Sequence, residues 1–293
     1  MSRIAYVNGR YVPHGSAMVH VEDRAYQFAD GVYEVCEVFG GRLVDETRHL
    51  DRLDRSLREL RIPAPMDRRA LLTVMRETVA RNRVRDGLVY LQVSRGVARR
   101  DHPFPDPPPA PALVVTAKSL SAAAGDKAAA SGVSVITVPE TRWARPDIKS
   151  VSLLPNVLAK QQAKEAGARE AWFVDPEGRV LEGSSTNAWI VTHDGKVVTR
   201  QADTHILRGV TRAAVSDLIG RRNLTLEERA FTVEEAKAAA EAFITSASSL
   251  VIPVVRIDGA PVADGQPGPV ATALRKGIHD VTEMSHVVTP PFV

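Results

Sequence analysis

The sequence predicts an α+β protein of two domains. Its 293 residues, 44% of them hydrophobic, are enough for two cores. Strand-like and helix-like stretches both occur, but without the regular alternation that builds a parallel α/β sheet. A stretch with few apolar anchors, 119–131, separates two such series. We therefore predict a small N-terminal α+β domain at 1–118, a linker at 119–131 and a larger C-terminal α+β domain with a mixed sheet at 132–293. A short surface helix is an equal alternative for 119–131.

Turn signals and apolar periodicity predict the elements of the first domain. Asn8-Gly9 and Gly40-Gly41 are turn dipeptides between strand-like runs, so each predicts a hairpin. Asp67 is a residue type that caps helices. The predicted strands and hairpins cover 4–12, 32–44, 88–94 and 112–117, and the predicted helices cover 47–61 and a segment after Asp67. The Pro-rich, charged loop 95–111 is long enough to suggest a function.

The second domain also mixes strands and helices. Gly167 is placed to end one helix, and His193-Asp194-Gly195 is a turn between two strands. The predicted strands are 132–138, 171–174, 188–192, 196–199 and 243–245, and the predicted helices are 156–167, 211–221, 234–242 and 267–282.

Composition excludes several classes of protein. The net charge is +3, and the basic residues are interleaved with acids, as in 48–55, so no nucleic-acid stripe is predicted. No run approaches 18 apolar residues, and the N-terminus lacks the apolar core of a signal peptide. The single cysteine, Cys36, suits a reducing compartment, so we expect a cytoplasmic protein. No His/Cys cluster has metal-ligand spacing, and no nucleotide-binding glycine motif is present.

Two segments about thirty residues apart combine an amine with a carboxylate. Lys149 stands in an extended stretch between apolar runs, where partial desolvation favours a nucleophilic amine. Glu182 precedes a turn whose hydroxyls could donate to an anion. Pyridoxal phosphate (PLP) requires both groups, an amine for its aldehyde and an anion for its ring nitrogen. From the residues alone, a loop lysine paired with Asp147 and a surface turn at Glu182 remain as alternatives.

Two weaker signals point to an anion site. Gly209-Val210-Thr211 opens a helix whose N–H groups suit a phosphate, and Gly209 would leave room for a ligand near the backbone. The hydroxyl-rich turn 245–249 follows an apolar strand. Each alone is more often a cap or a loop.

These motifs, in one order over residues 4–280, resemble the fold-type IV PLP enzymes and, within them, the D-amino-acid aminotransferases. The matching segments are 22–35, 49–53, 147–150, 156–161, 182–187, 207–212 and 245–246. The resemblance implies the two-domain α+β fold of that family. It also implies PLP as the cofactor, with Lys149 as the Schiff-base lysine that moves the substrate proton. Glu182 would pair with the ring nitrogen.

The resemblance also implies the other contacts. Leu207 would pack on the cofactor ring, and the phosphate would be bound by Arg52, Val210, Thr211, Ser246 and Ala247. Arg52 by itself is one arginine of a polar helix face. Ala247 replaces a hydroxyl residue of the relatives, so one phosphate hydrogen bond could be missing. Pro155 replaces a common glycine and should only stiffen the start of a helix.

In the enzymes that the chain resembles, the side chains that bind the substrate carboxylate determine which substrate is used. The positions that match these side chains are Tyr33, Arg100 and His102, which offer one forked and two single donors. The family places the loop with Arg100 and His102 in the partner subunit, which implies a homodimer. Without the resemblance, 99–102 would be interpreted as a solvated loop.

The expected activity is transamination between D-amino acids and 2-oxo acids, with D-alanine, D-glutamate or D-aspartate as donor and 2-oxoglutarate or pyruvate as acceptor. A branched-chain L-amino-acid transaminase and an aminodeoxychorismate lyase are the alternatives within the same fold. A PLP-binding protein without catalysis is a remote one. The sequence assigns no role to the tail 285–293.

Overall fold

The computed structural model describes residues 3–288, so part of the tail, 289–293, lies outside the described residues. The chain divides into two compact units. The first comprises 3–121, 148–152 and 283–288, and the second comprises 122–147 and 153–282. The predicted division into domains at 1–118 and 132–293, with a linker at 119–131, stays a prediction. The segment 119–131 contains a helix, which belongs to the second unit.

The first unit is a six-stranded antiparallel sheet with two long helices. Its elements are β1 (Ile4–Val7), β2 (Arg10–Pro13), α1 (Arg24–Phe28), β3 (Gly31–Phe39), β4 (Arg42–Leu43), α2 (Glu46–Glu59), α3 (Arg68–Arg81), β5 (Gly87–Ser94) and β6 (Ala112–Ser119). The sheet order is β2-β1-β6-β5-β3-β4. Leu50, Leu53 and Leu57 of α2 are buried in the core, as their helical spacing predicts.

Local signals of the first unit are confirmed. Asn8 and Gly9 have φ of 45° and 93°, and Gly40 and Gly41 have φ of 56° and 75°. Positive φ at both central residues is what a type I′ hairpin turn requires. The Asp67 side chain accepts a hydrogen bond of 2.9 Å from the N–H of Ala70 and so caps α3.

The second unit is built on a nine-stranded mixed sheet. Its elements are α4 (Ala122–Ser131), β7 (Val133–Pro139), α5 (Leu154–Glu165), β8 (Glu170–Val174), β9 (Val180–Gly183), β10 (Asn187–Val191), β11 (Val197–Thr199), α6 (Val210–Arg221), β12 (Leu226–Glu228), α7 (Val233–Lys237), β13 (Glu241–Ser246), β14 (Leu250–Ile257), β15 (Ala260–Pro261) and α8 (Pro269–Gly277). The sheet order is β12-β11-β10-β13-β14-β7-β8-β9, with β15 beside β14.

Both faces of this sheet are buried along β10. Ala188 and Ile190 belong to one apolar cluster, whereas Trp189 and Val191 belong to another on the opposite face. A strand that is buried on both faces has a continuous apolar run instead of an alternating one. The Trp189 ring stacks on Phe243 of β13 at 5.4 Å between ring centres.

The sequence missed several elements of the second unit. The predicted helix 234–242 ends earlier, because the chain enters β13 at Glu241. Pro269 begins the last helix, which as α8 is shorter than the predicted 267–282. The missed strands are β9, β12, β14 and β15, which are short or lie next to turn-like residues. Among residues 3–288, no helix has both the length and the apolar character to cross a membrane.

Candidate active site

The lysine predicted to carry the cofactor lies on a short extended segment of the first unit. The Tyr33 N–H donates to the Lys149 carbonyl oxygen at 3.0 Å, and the Lys149 N–H donates to the Ser56 hydroxyl at 3.3 Å. The side chain is half-buried, and its Nζ lies 4.2 Å from the centre of the Tyr33 ring. An ammonium at this distance is attracted by the face of the ring. Strand β3 and helix α2 therefore hold both the backbone and the amine of Lys149.

Tyr33, a predicted substrate residue, is thus next to Lys149. Its ring stacks on Tyr90 of β5, with 5.6 Å between ring centres. The Tyr90 hydroxyl donates to Gln92 Oε1 at 2.7 Å. Burial, with a contribution from Tyr33, raises the pKa of Tyr90 to about 12, so Tyr90 stays neutral. The stacked pair fixes the orientation of the Tyr33 ring.

Arg52, predicted to bind the phosphate, is held by a buried carboxylate. Its Nε and Nη2 donate to the two oxygens of Glu34 at 2.7 and 2.8 Å. Burial alone would raise the pKa of Glu34, but the Arg52 charge and its hydrogen bonds bring that pKa down to about 2. His49 Nδ1 lies 2.8 Å from Glu34 Oε2. Burial lowers the pKa of His49, so a neutral His49 donates its Nδ1–H to the ionised carboxylate.

Sequence reasoning did not single out Glu34 or His49, although one signal was present. Along β3, Val32, Cys36 and Val38 face the core, and Glu34 occupies the same face. A charged residue at an inward strand position is almost always paired with another polar group. That position therefore predicts a buried partner on the helix that packs against β3.

The loop 95–111 carries the other two predicted substrate residues. Arg100 and His102 are exposed, and both contact the Phe28 ring, at 5.0 Å from the Arg100 Cζ and 5.3 Å between ring centres. Arg24 is buried and donates to the carbonyl oxygens of Asp101 and His102 at 2.6 and 3.2 Å. The backbone of the loop is thus anchored, whereas the side chains predicted to bind the substrate, Arg100 and His102, are exposed.

In the second unit, Glu182 lies on strand β9 and not in a surface turn. Its carboxylate is buried and accepts hydrogen bonds from Arg142, Asn187 and Leu207. Arg142 Nη1 donates at 2.5 Å, Asn187 Nδ2 at 3.1 Å, and the Leu207 N–H lies 3.1 Å from both oxygens. The surface-turn alternative is therefore wrong. The Gly/Ser-rich turn begins after Glu182, at the end of the strand.

Arg142 was missed by the sequence reasoning. Its guanidinium bridges Glu182 and Glu140, to which it donates from Nε and Nη2, and it stacks 4.5 Å from the centre of the Phe173 ring. Burial would lower the pKa of Arg142, but the neighbouring Glu182 and Glu140 raise it, so the side chain stays charged. The segment around Arg142 has no motif, so only the structure reveals this partner of Glu182.

Three predicted cofactor residues, Leu207, Val210 and Thr211, lie just before or at the start of α6. Val210 and Thr211 form its first turn and are buried, and Gly209 is its N-cap. A Cβ on Gly209 would lie 2.1 Å from Asn187 Oδ1. The glycine therefore makes room for Asn187, and the room it would leave for a ligand near the backbone stays a prediction. Leu207 is half-buried, and its N–H is committed to Glu182.

The second hydroxyl-rich turn follows β13. The Ser246 hydroxyl lies 3.2 Å from the Ser248 hydroxyl, so the two can share one hydrogen bond. Ala247 between them is half-buried and offers only its backbone. Within residues 3–288, no group of three or more His, Cys, Asp or Glu side chains could hold a metal ion.

The fold and these residues match a known class of enzyme. Residues 31–257 match the family described as amino-transferase class IV, and the chain belongs to that family.

Particular relatives sharpen this assignment. A D-alanine aminotransferase from Bacillus licheniformis is 40% identical over 277 residues, which cover 92% of this chain and 95% of the relative. One from Staphylococcus aureus (strain COL) is 38% identical over 284 residues, covering 97% and 99%. Among solved structures, a T.th. branched-chain amino acid aminotransferase with pyridoxamine 5'-phosphate has a TM-score of 0.87 at 27% identity, covering 96% and 94%.

Proposed function

We propose that this chain is a PLP-dependent transaminase that exchanges an amino group between D-amino acids and 2-oxo acids. D-Alanine, D-glutamate and D-aspartate are the proposed donors, and 2-oxoglutarate and pyruvate are the proposed acceptors. The identity with D-alanine aminotransferases, over nearly the whole chain, supports D-substrates. The observation that carries the proposal is the Lys149 amine 4.2 Å from the Tyr33 ring, which joins the cofactor lysine to a substrate-binding side chain.

The residues fit PLP by their chemistry. Lys149 offers a half-buried amine, and Glu182 offers a buried carboxylate that accepts hydrogen bonds from Arg142 and Asn187. When bound, PLP supplies an aldehyde carbon that bonds to amines and a protonated ring that withdraws electrons. Glu182 would hold the proton of the ring nitrogen, and Leu207 would pack on the ring. The proposed phosphate contacts are Arg52, Val210, Thr211, Ser246 and the backbone of Ala247.

The chain's own groups would perform three tasks. Lys149 Nζ would hold the cofactor and would move a proton between the substrate Cα and the cofactor. Tyr33, Arg100 and His102 bind the substrate carboxylate and thereby orient Cα towards Lys149. The buried Glu34 pair keeps Arg52 in one orientation, which reduces the cost of ordering it when a phosphate binds.

A homodimer and a cytoplasmic location are part of the proposal. Apolar side chains are exposed in the single chain, and a partner subunit would cover them. They include Met18, Val21 and Tyr26 in the first unit and Leu154, Val157 and Leu158 in the second. The Cys36 thiol is buried and unpaired by any disulfide, which suits a reducing compartment.

The test is a pair of half-reactions followed by absorbance. The purified protein is saturated with PLP, and D-alanine or L-leucine is added separately. We expect D-alanine, and not L-leucine, to bleach the visible band while pyruvate is released. Bleaching by L-leucine alone would assign the chain to the branched-chain transaminases, which the likeness to a branched-chain amino acid aminotransferase of known structure makes the second candidate. A coloured protein that responds to no amino acid would be a PLP-binding protein without this activity. A protein that stays colourless after PLP is supplied would show that Lys149 does not bind the cofactor.

A further inference from the structure

Glu170 is a buried carboxylate around which the turn after Glu182 is folded. It begins β8, and 1% of its side chain is exposed. Three hydroxyls that the sequence assigned to an unknown anion donate to this carboxylate instead. They belong to Ser184, to Ser185 at 2.8 Å and to Thr186 at 3.3 Å. Lys160 Nζ, on the solvent side, lies 3.1 Å from Glu170 Oε2.

The turn fits closely against this carboxylate. A Cβ on Gly183 would lie 2.1 Å from Thr186 Oγ1 and 3.1 Å from Glu170 Cγ, so any larger residue would push the turn away. The Gly183 N–H donates to the Thr186 carbonyl oxygen at 2.7 Å, and the Ser184 N–H donates to the Ala171 carbonyl oxygen at 2.9 Å. The backbone and the hydroxyls therefore share one arrangement, with Glu170 as the common acceptor.

The hydrogen bonds around Glu170 depend on its carboxylate being present. An isolated buried carboxylate is costly, and its hydroxyl donors together with Lys160 offset that cost. Without the carboxylate, the buried Ser184 hydroxyl would lose its acceptor and keep the cost of its desolvation, whereas the exposed Ser185 and half-buried Thr186 hydroxyls could turn to water. The turn would then have to rearrange to find other partners or water.

The turn joins Glu182 of the proposed cofactor site to Asn187, which donates a hydrogen bond to it. Glu182 precedes the turn on β9 and Asn187 follows it on β10, and the Asn187 Nδ2 donates to Glu182 Oε2 at 3.1 Å. A shift of the turn's backbone would move these two residues relative to each other. We propose that Glu170 is a positioning residue that orients Glu182 towards the cofactor ring nitrogen. This inference rests on the proposed function and deepens it.

The test is a double-mutant cycle in the affinity for PLP, measured by titration of the cofactor-free protein. We expect Glu170→Ala to weaken PLP binding about tenfold when Glu182 is intact, the scale of one or two lost hydrogen bonds. In a Glu182→Ala background the same change should cost less than about twofold, since the group that Glu170 positions is gone. Equal losses in both backgrounds would overturn the proposal, as would no loss in either.

Controls separate positioning from general destabilisation. Glu177→Gln alters an exposed glutamate of the same unit and should leave PLP binding unchanged. Glu170→Gln keeps the size and one acceptor oxygen, so it should recover part of the affinity that Glu170→Ala loses. If Glu170→Ala does not fold, the pair Ser185→Ala and Thr186→Val removes two donors to the same carboxylate and is carried through the same cycle.

The two proposals fail in different ways. A wild-type protein that binds PLP but does not react with D-alanine would contradict the proposed function. The coupling between Glu170 and Glu182 in PLP affinity would still decide whether Glu170 positions Glu182. Conversely, a reactive wild type without that coupling would reject only the role of Glu170.

Discussion

Arg52 and Arg100 are both predicted to bind anions, and their surroundings in the first unit are opposite. The Arg52 side chain is 10% exposed and forms a two-pronged pair with Glu34. Arg100 is exposed, and its guanidinium contacts the Phe28 ring from 5.0 Å. The chain orients the first arginine before any ligand arrives, whereas the second keeps its side-chain freedom until something binds it.

This difference separates cofactor binding from substrate choice. Residues proposed to hold the cofactor, such as Arg52 and Glu182, are fixed by buried charged partners, which favours tight and permanent binding. Residues proposed to bind the substrate carboxylate lie on a loop whose backbone is anchored by Arg24. Exposed donors can be enclosed by a partner subunit and by the substrate itself, and they can vary without disturbing the core.

The largest effect is expected at Lys149, which belongs with Arg52 to the residues proposed to hold the cofactor. Lys149→Ala should reduce the rate with D-alanine by at least about 10³-fold, since proton transfer by a positioned side chain alone contributes about 10²–10⁴-fold. It should also remove the absorbance band of the Schiff base between PLP and Lys149, so that any bound PLP shows the spectrum of its free aldehyde. Lys164→Ala, at an exposed position of α5, is the matched control and should change neither. A Lys149→Ala variant that keeps the Schiff-base band and the activity would show that Lys149 is not the residue that binds PLP.

The next effect concerns the carboxylate that orients Arg52. Glu34→Gln leaves the Arg52 guanidinium buried without its counter-charge, so we expect the free energy of unfolding at pH 7 to fall by on the order of 3 kcal/mol. Urea denaturation measures this. Glu77→Gln removes an exposed pair with Arg81 and should cost less than about 0.5 kcal/mol. Similar losses in the two variants would mean that the buried pair adds no particular stability.

The pH dependence of this loss has a definite sign. The pKa of Glu34 falls from 4.5 to about 2 on folding. Its stabilisation is therefore complete above pH 4.5 and disappears as the pH falls towards 2. The gap between wild type and Glu34→Gln should shrink over that interval. Burial also lowers the pKa of His49, so its protonation destabilises the folded protein below pH 6.5, and Glu34 partly offsets that lowering. Glu34→Gln therefore loses more stability from His49, which widens the gap below pH 6.5 before the loss of the Glu34 contribution narrows it. A gap that stays constant down to pH 2 would contradict the assignment.

Part of this picture could be predicted from sequence because the signals are local. Asn8-Gly9 and the cap Asp67 depend on neighbouring residues alone, and both hold in the structure. Other features depend on residues far apart in the chain. Arg142 reaches Glu182 across forty positions, and Glu170 collects hydroxyls about fifteen positions away. No pattern within a window contains such pairs, so the partners of the candidate site had to come from the structure.

For the exposed Arg100, we expect a substitution to lower the catalytic efficiency with the substrate and nothing else. Arg100→Ala should lower kcat/KM for D-alanine about 10²-fold, because a hydrogen bond to a charged group is worth about 1.5–3 kcal/mol. Binding of PLP and the free energy of unfolding should not change, since the side chain is exposed. Arg99→Ala removes an equally exposed neighbouring charge and should have little effect. Equal losses in both variants would indicate general attraction of the anionic substrate, and no loss would reject Arg100 as a carboxylate ligand.

The smallest effect is expected at Ala247, a proposed phosphate contact that has no side-chain hydroxyl. Ala247 is half-buried beside Ser246 and Ser248, at a position where relatives were expected to carry a hydroxyl residue. Ala247→Thr and Ala247→Val add side chains of nearly equal shape, and only the first adds a donor. We expect the Thr variant to bind PLP about fivefold more tightly than the Val variant, the scale of one hydrogen bond near 1 kcal/mol. Titration of the cofactor-free proteins measures both affinities. If the two variants bind equally, the phosphate does not lie within reach of position 247, and the pre-oriented cofactor contacts would centre on Arg52 and the start of α6.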